Sequence, residues 1–371
     1  MKKNWLAIST GFALFSMFFG SGNLVFPILV GQESGGHHFL AALGLLVTGV
    51  FVPFLGVLAM VLYRGDLNQF FRCLGARGSF CFSLFALSLM GPFGVLARCL
   101  TVAHGALLLL LPQLSLPVTS LLLCFIIYFL TVNKNKIVPL LGLLLTPLLL
   151  LSIAVIAYRG FHESSLQPLA EVAGWEALKN GCLQGYLIMD LLASFFFSNF
   201  IIKHLQSDSA DKKGSAIRTF FKASFIGGML LSLVYIALVL LGARYAPILQ
   251  QVAPQEMLGR IALEALGPLA APIVSLVVVL ACLTTAMVLT VLFADFVSTS
   301  VAPRRIAGKQ ALLITLCIGF LVSTLDFAGI TKFLGPILEA IYPALIALTV
   351  FNIIYKVCQR PKRVSENYNC S

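Results

Sequence analysis

A single aspartate stands in a strongly apolar segment, GYLIMDLLASFFFSN, that runs from Gly185 to Asn199. A carboxylate at membrane depth is costly and is therefore a candidate functional group. Asp190 could bind a substrate amine, a cation or a proton. It could also be a structural partner for buried backbone or for Asn23, and the sequence leaves these roles open.

A second polar cluster interrupts the first apolar segment, in the stretch FFGSGNLVFP. Gly20, Ser21, Gly22 and Asn23 make a continuous helix least secure there, since glycine permits a turn and the close approach of a ligand. An unwound segment exposes N–H groups that can hold a carboxylate and carbonyl groups that can hold a cation. Close packing of small residues between helices is the alternative interpretation.

Two threonines follow a small residue in the later segment ACLTT. Ala281, Thr284 and Thr285 lie at positions i, i+3 and i+4, so they share one face of a helix. Two hydroxyl groups and one exposed carbonyl are hard oxygen ligands suited to an alkali cation. Threonines in membrane helices also bond to the preceding turn of their own helix, and the pattern alone favours that reading.

Two further ionisable residues, Arg98 and Glu339, fall in the outer halves of apolar segments. Opposite charges at similar depth predict a pair. The pair would be either an outer gate or a static neutralised contact.

The chemistry of an enzyme has little support in the sequence. The nine cysteines are scattered, without a C-x-x-C pair or a histidine at metal-ligand spacing, and we interpret them as packing residues. No cofactor is predicted.

The composition indicates that membrane-spanning helices carry these residues. Of 371 residues, 59% are hydrophobic and 11% are charged, which is too apolar for a soluble domain. Apolar stretches of about 20 residues recur, and each can cross a hydrocarbon layer of about 30 Å. The chain is therefore an all-α polytopic membrane protein. The ten predicted spans are 4–30, 38–63, 79–111, 114–132, 136–158, 182–204, 220–242, 269–300, 307–325 and 330–357.

The distribution of basic residues predicts the orientation. With the N-terminus in the cytoplasm, nineteen of the 25 Lys and Arg residues lie in inner loops or tails, five lie outside, and one lies within a span. This asymmetry places both termini inside. The net charge of +11 then faces anionic lipid headgroups. Nucleic acid is the less favoured partner for this positive charge, because the charge is divided among many short loops.

Ten spans with both ends inside fit a five-plus-five arrangement in which the second half is inverted. We predict one membrane domain over 1–371, with repeats at 1–158 and 182–357 and a cytoplasmic tail at 358–371. A polar segment at 252–267 has a helical pattern and is predicted to be a surface helix.

Four segments resemble the branched-chain amino acid:cation symporter family of bacterial inner membranes. They are GFALFSMFFGSGNLVFPILVGQ at 11–32, GYLIMDLLAS at 185–194, LACLTTAMVLT at 280–290 and ILEAIYPALIAL at 337–348. The resemblance implies a LeuT-type fold with the first and sixth helices broken. This chain differs from the family in length, since family members commonly carry twelve spans and ten are predicted here.

The resemblance also implies roles for individual residues. The substrate would be lined by Gly20, Ser21, Gly22, Asn23, Met189 and Asp190. A sodium ion would be held by the carbonyls of Ser16, Phe19 and Ala281 and the hydroxyls of Thr284 and Thr285.

The function expected from these features is Na⁺-driven uptake of leucine, isoleucine or valine, with Met189 and Phe195 as candidates for the side-chain pocket. A proton-coupled carrier of another neutral amino acid, such as methionine, is the first alternative, with Asp190 as the proton site. A channel would need a continuous polar pore, whereas these polar residues converge at mid-depth. An embedded enzyme would need a nucleophile or metal site, for which we find no pattern. The sequence does not decide the oligomeric state.

Overall fold

A computed structural model describes residues 2–132, 146–163, 172–208, 213–267, 270–303 and 305–366. All regular structure in these ranges is helical. The first ten residues of the predicted fifth span, 136–145, lie outside the described residues, as does the end of the predicted tail.

The helices follow one another without an intervening domain. The α-helices are α1 Lys2–Phe18, α2 Ser21–Gln32, α3 His38–Leu46, α4 Val52–Leu62, α5 Leu67–Phe70, α6 Gly75–Met90, α7 Val95–Leu107, α8 Leu116–Thr131, α9 Thr146–Glu163, α10 Gly174–Ile188, α11 Asp190–Asp208, α12 Lys213–Arg244, α13 Ala246–Leu249, α14 Met257–Leu266, α15 Ala270–Phe296, α16 Gly308–Ser323 and α17 Asp326–Glu366. Short 3-10 helices cover Arg72–Leu74 and Pro254–Glu256, and π-helical turns cover Val47–Phe51 and Val297–Val301.

Each predicted span corresponds to an apolar helix or pair of helices. In the described ranges six are long enough to cross a bilayer, and α1 with α2 forms a bent seventh. Three shorter apolar helices, α8, α9 and α16, stand at the predicted fourth, fifth and ninth spans. The ten-helix prediction therefore holds wherever the structure describes the chain.

The first span is broken, as predicted, and bends by 70° between α1 and α2. Two other spans differ from their predicted form. The third is interrupted at 91–94, where the sequence GPFG separates α6 from α7. The sixth begins at Gly174 rather than at 182. Hydropathy missed its first turns because Glu176 and Lys179 lower the local apolar character, while the helix continues through contacts with α3.

The polar segment at 252–267 is helical, as predicted. Its α14 helix buries Met257, Ile261 and Ala265 and exposes Arg260 and Glu264. The buried face packs on α15 and α9. An amphipathic helix of this kind lies against the bundle because only one of its faces is apolar.

The helices pack in two groups that meet at the breaks. The α12 helix runs along both α1 and α2, while α10 packs on α3 and α11 packs on α4. The α15 helix packs on α7 and α16. The two halves of the first span, and those of the sixth, are therefore supported by unbroken neighbours.

Glycines set the closest of these contacts. A Cβ atom added at Gly181 of α10 would meet the carbonyl oxygen of Ala41 in α3, and one at Gly31 of α2 would meet that of Val239 in α12. Glycine allows the backbones to approach, which is how membrane helices gain packing energy without a hydrophobic driving force between them.

We predict that Gly181→Ala destabilises the protein although alanine is the better helix former. The added methyl group would overlap the Ala41 carbonyl, which costs about 1–3 kcal/mol, against a gain of about 1 kcal/mol in helix propensity. The midpoint of thermal unfolding in detergent should fall. Gly308→Ala is the matched control, since no atom lies within 4 Å of a Cβ placed there. Equal midpoints for the two variants would contradict the prediction.

Candidate functional site

The first span breaks at Phe19 and Gly20. The Gly20 N–H donates to the side-chain oxygen Oδ1 of Asn23 at 3.0 Å. In a continuous helix it would donate to the carbonyl of Ser16. The α2 helix then starts at Ser21, so Ser21 and Gly22 form its first turn rather than part of the unwound segment. The predicted break is confirmed, but it lies earlier than the polar cluster suggested.

The sixth span breaks at a single residue. Met189 adopts left-handed backbone angles, φ 73° and ψ 15°, which end α10 at Ile188. The next residue, Asp190, is the first of α11. A carboxylate is favourable at the N-terminus of a helix because the free N–H groups there carry partial positive charge.

A hydrogen-bonded triad ties the two breaks together. The amide Nδ2 of Asn23 donates to Oδ2 of Asp190 at 2.8 Å and to the hydroxyl of Tyr235 at 2.5 Å. The Tyr235 hydroxyl donates to the same carboxylate oxygen at 3.2 Å. All three side chains are buried. Asp190 is thus a structural partner of Asn23.

Sequence reasoning missed Tyr235. The residue lies in the middle of the apolar seventh span, in the stretch SLVYIAL, and a tyrosine at that depth is a detectable signal because its hydroxyl needs a buried partner.

The two threonines of α15 reach the first span at its break. Thr284 Oγ1 donates to the Ser16 carbonyl at 3.1 Å and to its own helix at Ala281, at 2.9 Å. Thr285 Oγ1 lies 3.4 Å from the Ser16 carbonyl and 3.1 Å from that of Met17. Thr284 therefore bonds to the preceding turn of its own helix, as membrane threonines do, and both hydroxyls also reach carbonyls of α1. The cation site stays a prediction.

Four of the five predicted cation ligands converge in this way. The fifth, Phe19, is buried beside them, and its ring stacks on Phe15 at 5.0 Å between centroids. Hydroxyl and carbonyl oxygens are hard ligands of the type that binds Na⁺ through unwound backbone. The Ser16 hydroxyl adds a further oxygen that is buried and has no hydrogen-bond partner in the part of the chain described.

One small cavity joins the predicted substrate and cation residues. It has a volume of about 10 Å³, and its walls include Asn23, Met189, Asp190 and Thr285. That is room for about one water molecule. A larger cavity of about 520 Å³ lies at one end of the bundle, lined by residues that include Arg64, Asn199 and Asp295.

Two other predicted substrate residues face the second break or its neighbours. A Cβ added at Gly22 would lie 3.3 Å from Cα of Ile188, so α2 and α10 are nearly in contact. The Ser21 hydroxyl accepts from the Cys99 thiol of α7 at 3.6 Å. The first turn of α2 is therefore enclosed by the third and sixth spans.

The predicted pairing of Arg98 with Glu339 is wrong. Arg98 is fully buried, while Glu339 is exposed, and the described residues include no ion pair between them. Arg98 instead donates from Nη1 to the carbonyl of Leu187 at 2.9 Å. The break at Met189 removes the helical donor to that carbonyl, and the buried guanidinium replaces it, whereas Glu339 lies on an exposed face of α17.

The sequence of this chain matches that of a known protein family. The family model described as "Branched-chain amino acid transport protein" matches residues 2–369. The chain belongs to this family.

Its relatives in the family are bacterial. A candidate branched-chain amino acid carrier of Staphylococcus epidermidis is 27% identical over 95% of this chain and 82% of its own length. One from Staphylococcus aureus strain USA300 is 27% identical over 99% of this chain and 85% of its own length. The names of these relatives describe carriers. The protein is a multi-pass membrane transporter.

Solved structures show the fold. Mhp1, a transporter of the nucleobase-cation-symport-1 family in a closed conformation, superposes with a TM-score of 0.69 at 15% identity, over 92% of this chain and 77% of its own. MhsT, in complex with L-phenylalanine, has a TM-score of 0.59 at 17% identity, over 87% of this chain and 78% of its own. The fold is LeuT-like, as the resemblance implied.

We predict that Tyr235→Phe lowers the thermal stability of the protein. The change leaves the Asn23 amide and the Asp190 carboxylate each with one hydrogen bond fewer in a buried site, a loss of about 1–3 kcal/mol. Tyr128→Phe on α8 is the control, since its hydroxyl makes no hydrogen bond with the described part of the chain. Equal thermal midpoints in detergent for both variants would show that the triad contributes nothing to the fold.

Proposed function

We propose that the protein is a secondary active symporter that couples Na⁺ influx to the uptake of branched-chain amino acids. The observation that carries this proposal is the convergence of the Thr284 and Thr285 hydroxyls on the carbonyl of Ser16, which the break in the first span has freed. The family supplies the class of substrate. The protein would act in a bacterial inner membrane, with both termini in the cytoplasm.

The cation would be held entirely by uncharged oxygen atoms. Ser16 and Ala281 offer carbonyls, and Thr284 and Thr285 offer hydroxyls that can turn from donors to ligands by rotating about one bond. A monovalent ion suits such a set, since the oxygens replace its hydration shell without adding net negative charge. The ion would then bridge the broken first span and the eighth.

The amino acid would lie in the small cavity beside this cation. Its ammonium would face Asp190, and its carboxylate would face the first turn of α2, whose N–H groups have no intrahelical acceptors. Its side chain would lie against Ile188, Met189 and other apolar residues of the wall.

One side-chain candidate from the sequence is replaced. Phe195 packs on Phe70 and Phe71, at 5.0 and 5.6 Å between ring centroids, and Phe197 lines the cavity in its place. An apolar wall separates ligands that differ by one methylene by only about 1–3 kcal/mol. Leucine, isoleucine and valine should therefore compete with one another.

Coupling follows from the shared break. Cation and amino acid would both bind backbone groups of the same interrupted span, so either ligand favours the arrangement that the other needs. Linkage requires this effect to be reciprocal. Exposed apolar side chains such as Phe129, Leu151 and Phe225 would contact lipid around the bundle.

A proton-coupled carrier is the second candidate, and the triad is the observation that favours it. Asp190 is buried and shares one carboxylate oxygen with both Asn23 and Tyr235. Such a carboxylate could exchange a proton with the cavity without breaking the fold. The proton would then take the place of the sodium ion as the driving species.

Transport in proteoliposomes distinguishes the two candidates. We expect an inward Na⁺ gradient to drive accumulation of labelled leucine, unlabelled valine and isoleucine to compete, and a pH gradient without Na⁺ to drive none. Accumulation driven by the pH gradient alone would favour the proton-coupled carrier. No leucine accumulation under either gradient would overturn both candidates.

The cation site is tested by the double variant Thr284→Ala, Thr285→Val. Loss of two oxygen ligands should raise the Na⁺ concentration for half-maximal uptake by about 10-fold or more, since each costs about 1 kcal/mol or more. Thr290→Val is the control, because the hydroxyl of Thr290 is equally buried on α15 but bonds only to Ala286, at 2.7 Å. Unchanged Na⁺ activation in the purified double variant would exclude this site.

A further inference from the structure

Arg98 is a fully buried charge with most of its hydrogen-bonding capacity unused. Its Nη1 donates to Leu187, but Nε and Nη2 have no partner among the described residues. No carboxylate of those residues lies within 4 Å of the guanidinium. Its other close neighbour is the ring of Phe26, whose centroid is 5.6 Å from Cζ. An aromatic face stabilises a cation only modestly compared with a counter-anion.

The position of this charge relates it to both breaks. Leu187 is two residues before the break at Met189, and Phe26 lies on α2, one turn beyond Gly22. The neighbouring residue Cys99 contacts the hydroxyl of Ser21. The Phe26 ring also lies 3.4 Å from a Cβ atom added at Gly22, so the guanidinium and the first turn of α2 flank the same aromatic ring. The N–H groups of that turn have no intrahelical acceptors.

A buried charge without its counter-ion is costly, and two unsatisfied N–H donors add to that cost. The cost is removed when an anion with two coplanar oxygens accepts from the fork of the guanidinium. The same anion is favoured by the N-terminus of α2. The guanidinium and the N-terminus of α2 therefore favour the same kind of ligand, a carboxylate.

We propose that Arg98 binds the carboxylate of the transported amino acid, together with the first turn of α2. This inference rests on the proposed function, because it assigns one residue of that same site. Arg98 is a base that contacts Leu187 just before the break in the sixth span, and Asp190 is an acid that begins α11 just after it. A zwitterion offers its carboxylate to the base and its ammonium to the acid, whereas a simple amine or a simple acid matches only one of the two.

The competing explanation is that Arg98 only braces the scaffold. Its bond to Leu187 ties α7 to the end of α10, and losing it would weaken binding of any ligand by loosening the sixth span. A brace uses one donor and does not need the carboxylate of the ligand. The two explanations therefore differ in which ligands the substitution affects.

The test compares leucine with leucinamide, which keeps the ammonium and the side chain and replaces the carboxylate by a neutral amide. Dissociation constants are measured by calorimetry in detergent with Na⁺, for the wild type and for Arg98→Gln. We expect the wild type to prefer leucine, and Arg98→Gln to weaken leucine binding by about 30-fold or more while changing leucinamide binding by less than about 3-fold. Glutamine removes the positive charge and ends about two bonds short of the arginine fork, so any loss of the bond to Leu187 should affect both ligands alike.

Arg98→Lys guards against a folding defect. It keeps the charge but loses the planar fork, so the ratio of the two dissociation constants should fall by about 10-fold relative to the wild type. The Na⁺-induced rise in thermal midpoint, measured without amino acid, shows that each variant is folded and binds cation.

Equal losses for leucine and leucinamide, or an unchanged ratio in both variants, would overturn the carboxylate assignment and leave the proposed function intact. A wild type that binds neither ligand would overturn the proposed function, and the assignment with it.

Discussion

Every backbone N–H and C=O group at membrane depth must find a partner inside the protein, since the hydrocarbon offers none. Two spans of this transporter break that rule locally, at Phe19–Gly20 and at Met189, and the surrounding structure supplies the missing partners. The Asn23 amide takes the Gly20 N–H, the Thr284 hydroxyl takes the Ser16 carbonyl, and Arg98 takes the Leu187 carbonyl. These hydrogen bonds to the backbone groups at the breaks also hold in place the helices that carry the side chains.

These replacement bonds differ from helical bonds in one respect that matters for transport. They come from side chains, which can rotate away, whereas a helical bond is lost only when the helix unwinds. In the proposed mechanism a cation would take over the Ser16 carbonyl from a threonine hydroxyl, and a carboxylate would take the donors that Arg98 leaves without a partner. The proposed ligands would thus exchange weak bonds within the protein for stronger ones.

The two buried ionisable side chains beside the breaks differ in how many of their polar atoms have hydrogen-bond partners. Asp190 has two hydrogen-bond partners of its own, while Arg98 retains two unused donors. The small cavity between the breaks holds little more than a water molecule, while the large cavity at one end of the bundle holds far more. The proposed amino acid would therefore fit at the breaks only if the helices around the small cavity separate. Ligand binding would then be linked to that movement of the helices.

The sequence by itself determined the class and the order of the helices, because the transfer of apolar runs into lipid is a local property of about 20 residues at a time. It also located the first break approximately, since Gly20 and Asn23 weaken a helix wherever it lies, and it marked Asp190 as an exceptional charge. The break in the sixth span was only implied by the family resemblance, and the structure placed it at Met189. The tertiary structure alone decided the partners: Tyr235 for Asp190, Leu187 rather than Glu339 for Arg98, and the extension of the sixth span back to Gly174. These depend on the rotation and depth of helices that are as many as 212 positions apart in the chain, as Asn23 and Tyr235 are. Periodicity fixes which residues share a face of one helix, but only packing decides which two faces meet.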